Sequence, residues 1–269
     1  MNSKAIRKQL FAAVAMVLVA AVALGSSTYA WFVASGEVKA MGMQVQIQAE
    51  SGILIRENVT GTTFATIANT GSTTQALIPT STNDLATWYH NNSNAVDAAK
   101  GGIPDSKYTT VGTSAKDDYY LQKQFAIRSA TQSAIPDVKL GIKKVNVTGG
   151  SESIQQALRV GIKLTAGGDS QMFIYAPTRS AEWTLADVVY ATASSTPSAV
   201  TLSAKMAPTG TSSEFFTLTE NKIPASDAGL LVDVFIWYEG EDENCKTTNI
   251  TGLTPSAMTT EIIFERVAA

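Results

Sequence analysis

The stretch MGMQVQIQAESGILI, residues 41–55, alternates apolar and polar side chains along its first half. One face of the extended chain carries glutamines, and the other carries the apolar side chains of Met43, Val45 and Ile47. This period of two predicts a β-strand with one wet face and one buried face. Because Ser51–Gly52 separates it from a second apolar run at residues 53–55, the stretch also predicts a β-hairpin.

Short strand patterns recur along the rest of the chain, separated by Gly, Pro, Asn and Ser, which are turn residues. They lie at residues 62–68, 119–129, 138–149, 157–167, 170–177, 199–206, 214–220, 230–241 and 260–267. Many short strands that do not alternate with helices predict an all-β fold, an antiparallel β-sandwich of the jelly-roll type. Residues 83–102 predict one or two short helices, and residues 151–160 predict one helical turn capped by Ser151 or Ser153.

The first 30 residues are organised like a signal peptide. Basic residues precede an apolar run at residues 10–24, which is shorter than the roughly 20 residues that span a bilayer. Small residues at Thr28 and Ala30 suit the −3 and −1 positions of a cut before Trp31. The alternative is a retained membrane anchor, because residues 31–33 can prolong the apolar run. We favour cleavage, so the membrane is contacted only through the N-terminal helix of the precursor.

Charge and cysteine content fit an exported protein that is stabilised by packing. The chain has 269 residues and a net charge of −3, and residues 1–30 hold three of its 20 basic residues and none of its 23 acidic ones. The exported part therefore carries a net charge of −6 and offers no basic patch for nucleic acid. Cys245 is the single cysteine, which excludes an internal disulfide and favours a bacterial envelope protein.

Motifs for catalysis or cofactor binding are missing from the sequence. His90 is the single histidine, so neither an H-E-x-x-H zinc site nor a histidine cluster can be written. The chain contains no G-x-S-x-G elbow and neither of the common glycine-rich phosphate-binding motifs. We therefore expect a non-enzymatic protein that has no catalytic residue and no cofactor.

An acidic run at the end of a strongly apolar strand is the sharpest polar feature of the sequence. Its carboxylates, which are weak candidates for a Ca²⁺ site, belong to Glu239, Glu241, Asp242 and Glu243. The spacing does not match the D-x-[DN]-x-[DN]-G pattern of a calcium loop. We therefore favour a solvated acidic turn that keeps the strand end soluble.

A family resemblance rests on residues 4–40. A basic start, an alanine- and valine-rich core and the patch GSSTYA (25–30) before Trp31 and Phe32 resemble the TasA/camelysin group of Gram-positive bacteria. The resemblance implies a dedicated signal peptidase that cuts within this patch, and a jelly-roll β-sandwich as the fold. It also implies extracellular biofilm fibres whose subunits exchange N-terminal donor strands. Camelysin has been classed as a metalloprotease, but this chain offers no ligand set for that activity.

Elementary physics favours the same fibre hypothesis. A freed strand with period-two apolar residues is stabilised when it pairs at the sheet edge of a second copy. Head-to-tail donation does not close into a ring, so it forms a filament. We therefore expect a signal peptide at residues 1–30, a donor segment at residues 31–49 and a sandwich domain at residues 50–269. The expected interface residues are Trp31, Phe32, Val38, Met43, Val45 and Ile47.

Three alternatives stay open. The N-terminal strand can insert into its own sandwich instead of a neighbour's. The protein can be a membrane- or wall-anchored adhesin, if the N-terminal helix is retained. It can also be a secreted carbohydrate-binding module or hydrolase, because sandwiches with exposed Trp and Tyr often bind glycans.

Overall fold

In the computed structural model of this chain, the described residues are 16, 43–58, 63–71, 77–91, 96–97, 103–104, 108–166, 169–191, 197–245 and 258–269. Most of them lie in strands. The strands are β1 (Gln44–Ala49), β2 (Ile53–Glu57), β3 (Ile67–Asn69), β4 (Tyr89–Asn91), β5 (Val96–Asp97), β6 (Ile103–Pro104), β7 (Tyr108–Thr110), β8 (Leu121–Ser129), β9 (Val138–Thr148), β10 (Leu158–Ala166), β11 (Asp169–Ala176), β12 (Trp183–Ala191), β13 (Pro197–Met206), β14 (Thr209–Phe216), β15 (Leu230–Tyr238) and β16 (Thr259–Ala268). Helix α1 spans Glu152–Ala157, and 3-10 turns lie at Lys116–Asp118 and Thr219–Asn221.

Two large mixed sheets account for most of the described strands. One has the order β14-β9-β16-β1-β3, and the other has the order β12-β13-β11-β10-β15-β8-β2. Most neighbouring pairs are antiparallel, but β1 runs parallel to β16 and β11 runs parallel to β13. The predicted all-β sandwich is consistent with this arrangement, whereas the purely antiparallel pairing that we expected is wrong at these two positions.

A shared apolar core lies between the two sheets. Inward side chains of β1, β9 and β16 face those of β8, β10 and β15, and most of them are fully buried. Burial of one such Ile, Val or Phe side chain is favourable by about 1.5–3 kcal/mol. This core accounts for the period-two pattern that is visible in the sequence.

The predicted hairpin at residues 41–55 is wrong, because β1 and β2 belong to different sheets. Ser51 and Gly52 adopt left-handed backbone conformations, with φ of 59° and 81°, and they turn the chain from one sheet to the other. Ile53 and Ile55 then face the same core from the opposite side. The turn residues were recognised correctly, but alternation alone does not distinguish a hairpin from such a corner.

The helices predicted over residues 83–102 are also wrong for the described part of that range. Residues 83–87 form bends, and β4 follows at residue 89. The Asp84 carboxylate accepts hydrogen bonds from the amides of Ala86 and Thr87, at 2.9 and 2.7 Å. Such local bonds compete with helix formation. The helical turn predicted at 151–160 is confirmed by α1. Ser151 lies at its N-cap position, but its side chain makes no capping hydrogen bond.

Within the part of the chain that the structure describes, no helix is long and apolar enough to cross a membrane. The predicted signal peptide at residues 1–30 lies outside the described residues, Met16 excepted. Strand β12 had no counterpart among the predicted strands.

Candidate functional site

Strand β1 lies inside the five-stranded sheet, between β16 and β3. We call this position the slot. Strand β1 pairs with β16 over six residues, from Gln44 opposite Thr259 to Ala49 opposite Phe264. On its other side it pairs with β3 over three residues. Every strand that borders β1 therefore follows it in the sequence.

Three predicted interface residues lie in the core of their own chain. Met43, Val45 and Ile47 are 2%, 0% and 0% exposed, and the glutamines between them lie on the outer face of the sheet. In this structure their side chains are therefore buried within a single chain. The other predicted interface and cleavage residues, Thr28, Ala30, Trp31, Phe32 and Val38, lie outside the described residues.

Hydrogen bonds hold both sides of β1. Towards β16, the amides of Gln44 and Glu50 donate to the carbonyls of Met258 and Phe264, at 2.8 and 3.0 Å. On the opposite side, the amide of Val45 donates to the Thr70 hydroxyl at 3.0 Å. The amide of Ala49 donates to the carbonyl of Thr66 at 2.8 Å. The role of Thr70 had no recognisable pattern in the sequence.

The acidic run at residues 239–243 is largely buried. The solvated turn that we favoured from the sequence is therefore wrong. Glu239, Glu241 and Asp242 are only 2%, 6% and 0% exposed, whereas Glu243 is exposed. The reason is a set of buried partners that lie far away in the sequence. Among the described residues, no three His, Cys, Asp or Glu side chains are placed so that they could hold a metal ion.

Asp242 is the centre of a buried ion-pair cluster. One carboxylate oxygen accepts hydrogen bonds from the guanidinium groups of both Arg159 and Arg179. Arg159 is 1% exposed and also donates to the carbonyls of Gln156 and Leu158, at 2.7 and 2.9 Å. Its Cζ lies 4.6 Å from the ring centroid of Trp183, a cation–π contact.

Glu239 is held beside this cluster by donors from three directions. Its carboxylate accepts the Ser81 hydroxyl, the indole N–H of Trp237 at 3.1 Å and the amide of Glu241 at 3.2 Å. Burial raises the pKa of Glu239 above its ordinary value, although Arg159 and these donors oppose the shift. The arrangement anchors the segment around Ser81 to the end of β15.

That segment, residues 80–91, covers the outer face of the seven-stranded sheet. Trp88 stacks on Tyr120 with ring centroids 4.0 Å apart and meets Trp237 edge-on at 5.2 Å. Leu85 and Phe235 complete this second apolar cluster. Trp88 and Trp237 are 4% and 0% exposed, so these two rings do not form an open platform for a glycan.

A narrow cleft lies between this cover and β12. It leaves no room for a water molecule. Its lining combines polar and aromatic side chains, namely Thr82, Arg159, Trp183, Trp237 and Glu239. The cleft therefore serves the packing of the buried cluster.

His90 and Cys245 lie in different parts of the fold. His90 lies on β4, where its ring contacts that of Tyr119 at 4.8 Å. Cys245 is buried, and burial raises the pKa of its thiol well above the ordinary value.

The chain matches no protein-family model, no curated protein and no solved structure. Similarity to other proteins therefore adds nothing to the assignment of a function.

Proposed function

We propose that this chain is a structural subunit of an extracellular or cell-surface fibre, and that each subunit donates its N-terminal strand to the next one. The position of β1 carries the proposal. Because the walls of the slot come entirely from later parts of the chain, a β1 strand from another copy can make the same contacts. Exchange of an identical element is a low-cost route to assembly.

A donated β1 requires a hinge directly after the strand. Ser51 and Gly52 already hold the backbone in a corner between the two sheets. A Cβ added at Gly52 would meet nothing within 4 Å, so the corner has space to change conformation. Rotation there would release β1 and leave β2 paired with β8.

The interface residues follow from this geometry. In a donated strand, Met43, Val45 and Ile47 keep their packed positions but contact the core of a neighbour. Trp31, Phe32 and Val38 extend the donated segment upstream. Head-to-tail donation forms an open filament, so the partner is a second copy of the same chain.

The remaining features belong to the same proposal. They are a jelly-roll topology, export with removal of residues 1–30 by a signal peptidase, a non-enzymatic role and a place in a TasA-like biofilm matrix. Support comes from the resemblance over residues 4–40 and from the organisation of the N-terminal sequence.

Complementation of the empty slot tests the proposal. A chain of residues 50–269 lacks β1, and we expect it to be unstable alone but to fold when a peptide of residues 40–50 is added. Circular dichroism reports folding, and negative-stain microscopy of residues 31–269 should show fibres.

The matched control is the same peptide with Val45→Asp and Ile47→Asp, because charges at these positions cannot enter the apolar core. The proposal fails if both peptides act alike, or if residues 31–269 stay monomeric under every condition.

A further inference from the structure

Residues 63–70, which we call the strap, cross from one sheet to the other along the edge of the slot. Ala65 exchanges two backbone hydrogen bonds with Ile55 of β2, at 2.8 and 3.0 Å. The strap then continues into β3, which pairs with β1, and ends at Thr70, which bonds to Val45. The strap therefore closes the side of the slot opposite β16.

Few side chains anchor the strap. Thr70 is buried, Phe64 and Ala68 are half-buried, and the other strap residues are exposed. On the opposite side of β1, Ile262 and Phe264 of β16 are both fully buried. Segments with few buried apolar side chains open at a lower free energy than the core does. The strap is therefore the weaker wall of the slot.

Phe64 attaches the strap to the seven-stranded sheet. The Cζ atoms of Arg128 and Arg56 lie 4.3 and 4.9 Å from the centroid of its ring. Asp227 fixes both arginines, because its carbonyl accepts from Arg56 at 2.9 Å and its carboxylate accepts from Arg128. A ring beside two cations is attracted to both of them.

We propose that the strap is a gate, and that Phe64 must leave Arg56 and Arg128 before β1 enters or leaves the slot. The inference rests on the proposed function, because a gate matters only where β1 is exchanged. One part of the inference does not depend on fibre formation. Opening of the strap exposes one side of β1 while the pairing with β16 persists.

Amide hydrogen exchange of residues 31–269, measured before assembly, tests the gate residue by residue. Phe64→Ala removes the ring, and Phe64→Leu keeps an apolar side chain without the cation–π contacts. We expect the strap-facing amides of Val45 and Ala49 to exchange about five- to tenfold faster in both variants. The amides of Gln44 and Glu50, which face β16, should keep their rates.

Phe215→Ala is the matched control. Phe215 is an exposed aromatic residue on β14, at the far edge of the five-stranded sheet that contains β1. It should change none of these four rates. The gate is overturned if all four amides respond together, or if none responds to the loss of the Phe64 ring.

Fibre growth of the same variants separates this inference from the proposed function. A gate predicts growth about five- to tenfold faster for Phe64→Ala than for Phe215→Ala. If no variant grows fibres although the Val45 and Ala49 amides respond, the fibre function fails and strap opening stands. If fibres grow at equal rates in all variants, the gate is wrong and the fibre function stands.

Discussion

The guanidinium group of Arg159 and the carboxylate of Asp242 form an ion pair that is sealed from solvent, with side chains 1% and 0% exposed. The pair joins the start of β10 to the turn after β15, across 83 residues of sequence. Arg179 binds the same carboxylate oxygen from a more exposed position. Loss of the carboxylate would leave the buried guanidinium of Arg159 without its ion-pair partner.

Replacement of that carboxylate is the first prediction. Asp242→Ala should lower the free energy of unfolding by about 3–5 kcal/mol, as is typical when one partner of a buried ion pair is removed. Denaturant unfolding measures the change. Glu243→Ala is the control from the same turn, and its effect should stay within about 0.5 kcal/mol because Glu243 is exposed. Equal effects would mean that the whole turn is solvated.

A second prediction concerns the cover over the seven-stranded sheet. A Cβ added at Gly161 would lie 2.5 Å from Cδ2 of Leu85, so Gly161→Ala must displace Leu85 from the aromatic cluster. We expect a loss of about 1–3 kcal/mol in stability and a change in the fluorescence of the nearby tryptophans.

Gly112→Ala is its control, since a Cβ there would meet nothing within 4 Å. Unchanged fluorescence in Gly161→Ala would show that Leu85 does not pack on the sheet as described.

The third prediction uses the pKa of Glu239, which burial raises above its ordinary value of 4.5. The folded chain then binds this proton more readily than the unfolded chain, so Glu239 contributes more stability as the pH falls through its folded pKa towards 4.5. Glu239→Gln removes the titration. Relative to this variant, the natural chain should gain stability between neutral pH and mild acid in denaturant titrations. A difference that is constant with pH, or that has the opposite slope, would contradict the shift.

The alternation of apolar and polar residues predicted the strands, because it depends only on which face of each strand is buried. Alternation at Met43, Val45 and Ile47 reflects one buried face, and that face is present in the structure. Which sheet a strand joins depends on distant partners, so the Ser51–Gly52 corner resembled a hairpin in the sequence.

The buried acidic turn was missed for a similar reason. Clustered carboxylates are usually solvated, and the ion pairs with Arg159 and Arg179 offset the cost of burying Asp242. Arg159 itself gave no clue, because it takes a polar position in the alternating pattern between Leu158 and Val160. Its partner lies in the turn after a different strand, and a sequence pattern carries no information about that pairing.

A disulfide between β1 and β16 tests the donor-strand claim most directly. Gln46 and Glu261 are register partners on adjacent strands, so Gln46→Cys and Glu261→Cys place two thiols within bridging distance. Cys245 is buried, and the single variant Gln46→Cys controls for adventitious pairing.

After oxidation of assembled residues 31–269, denaturing electrophoresis without reductant reports which chains are joined. Donation of β1 predicts a ladder of covalent multimers, since each bridge joins two subunits. Bridges confined to single chains within assembled fibres would contradict it, because β1 would then occupy the slot of its own chain.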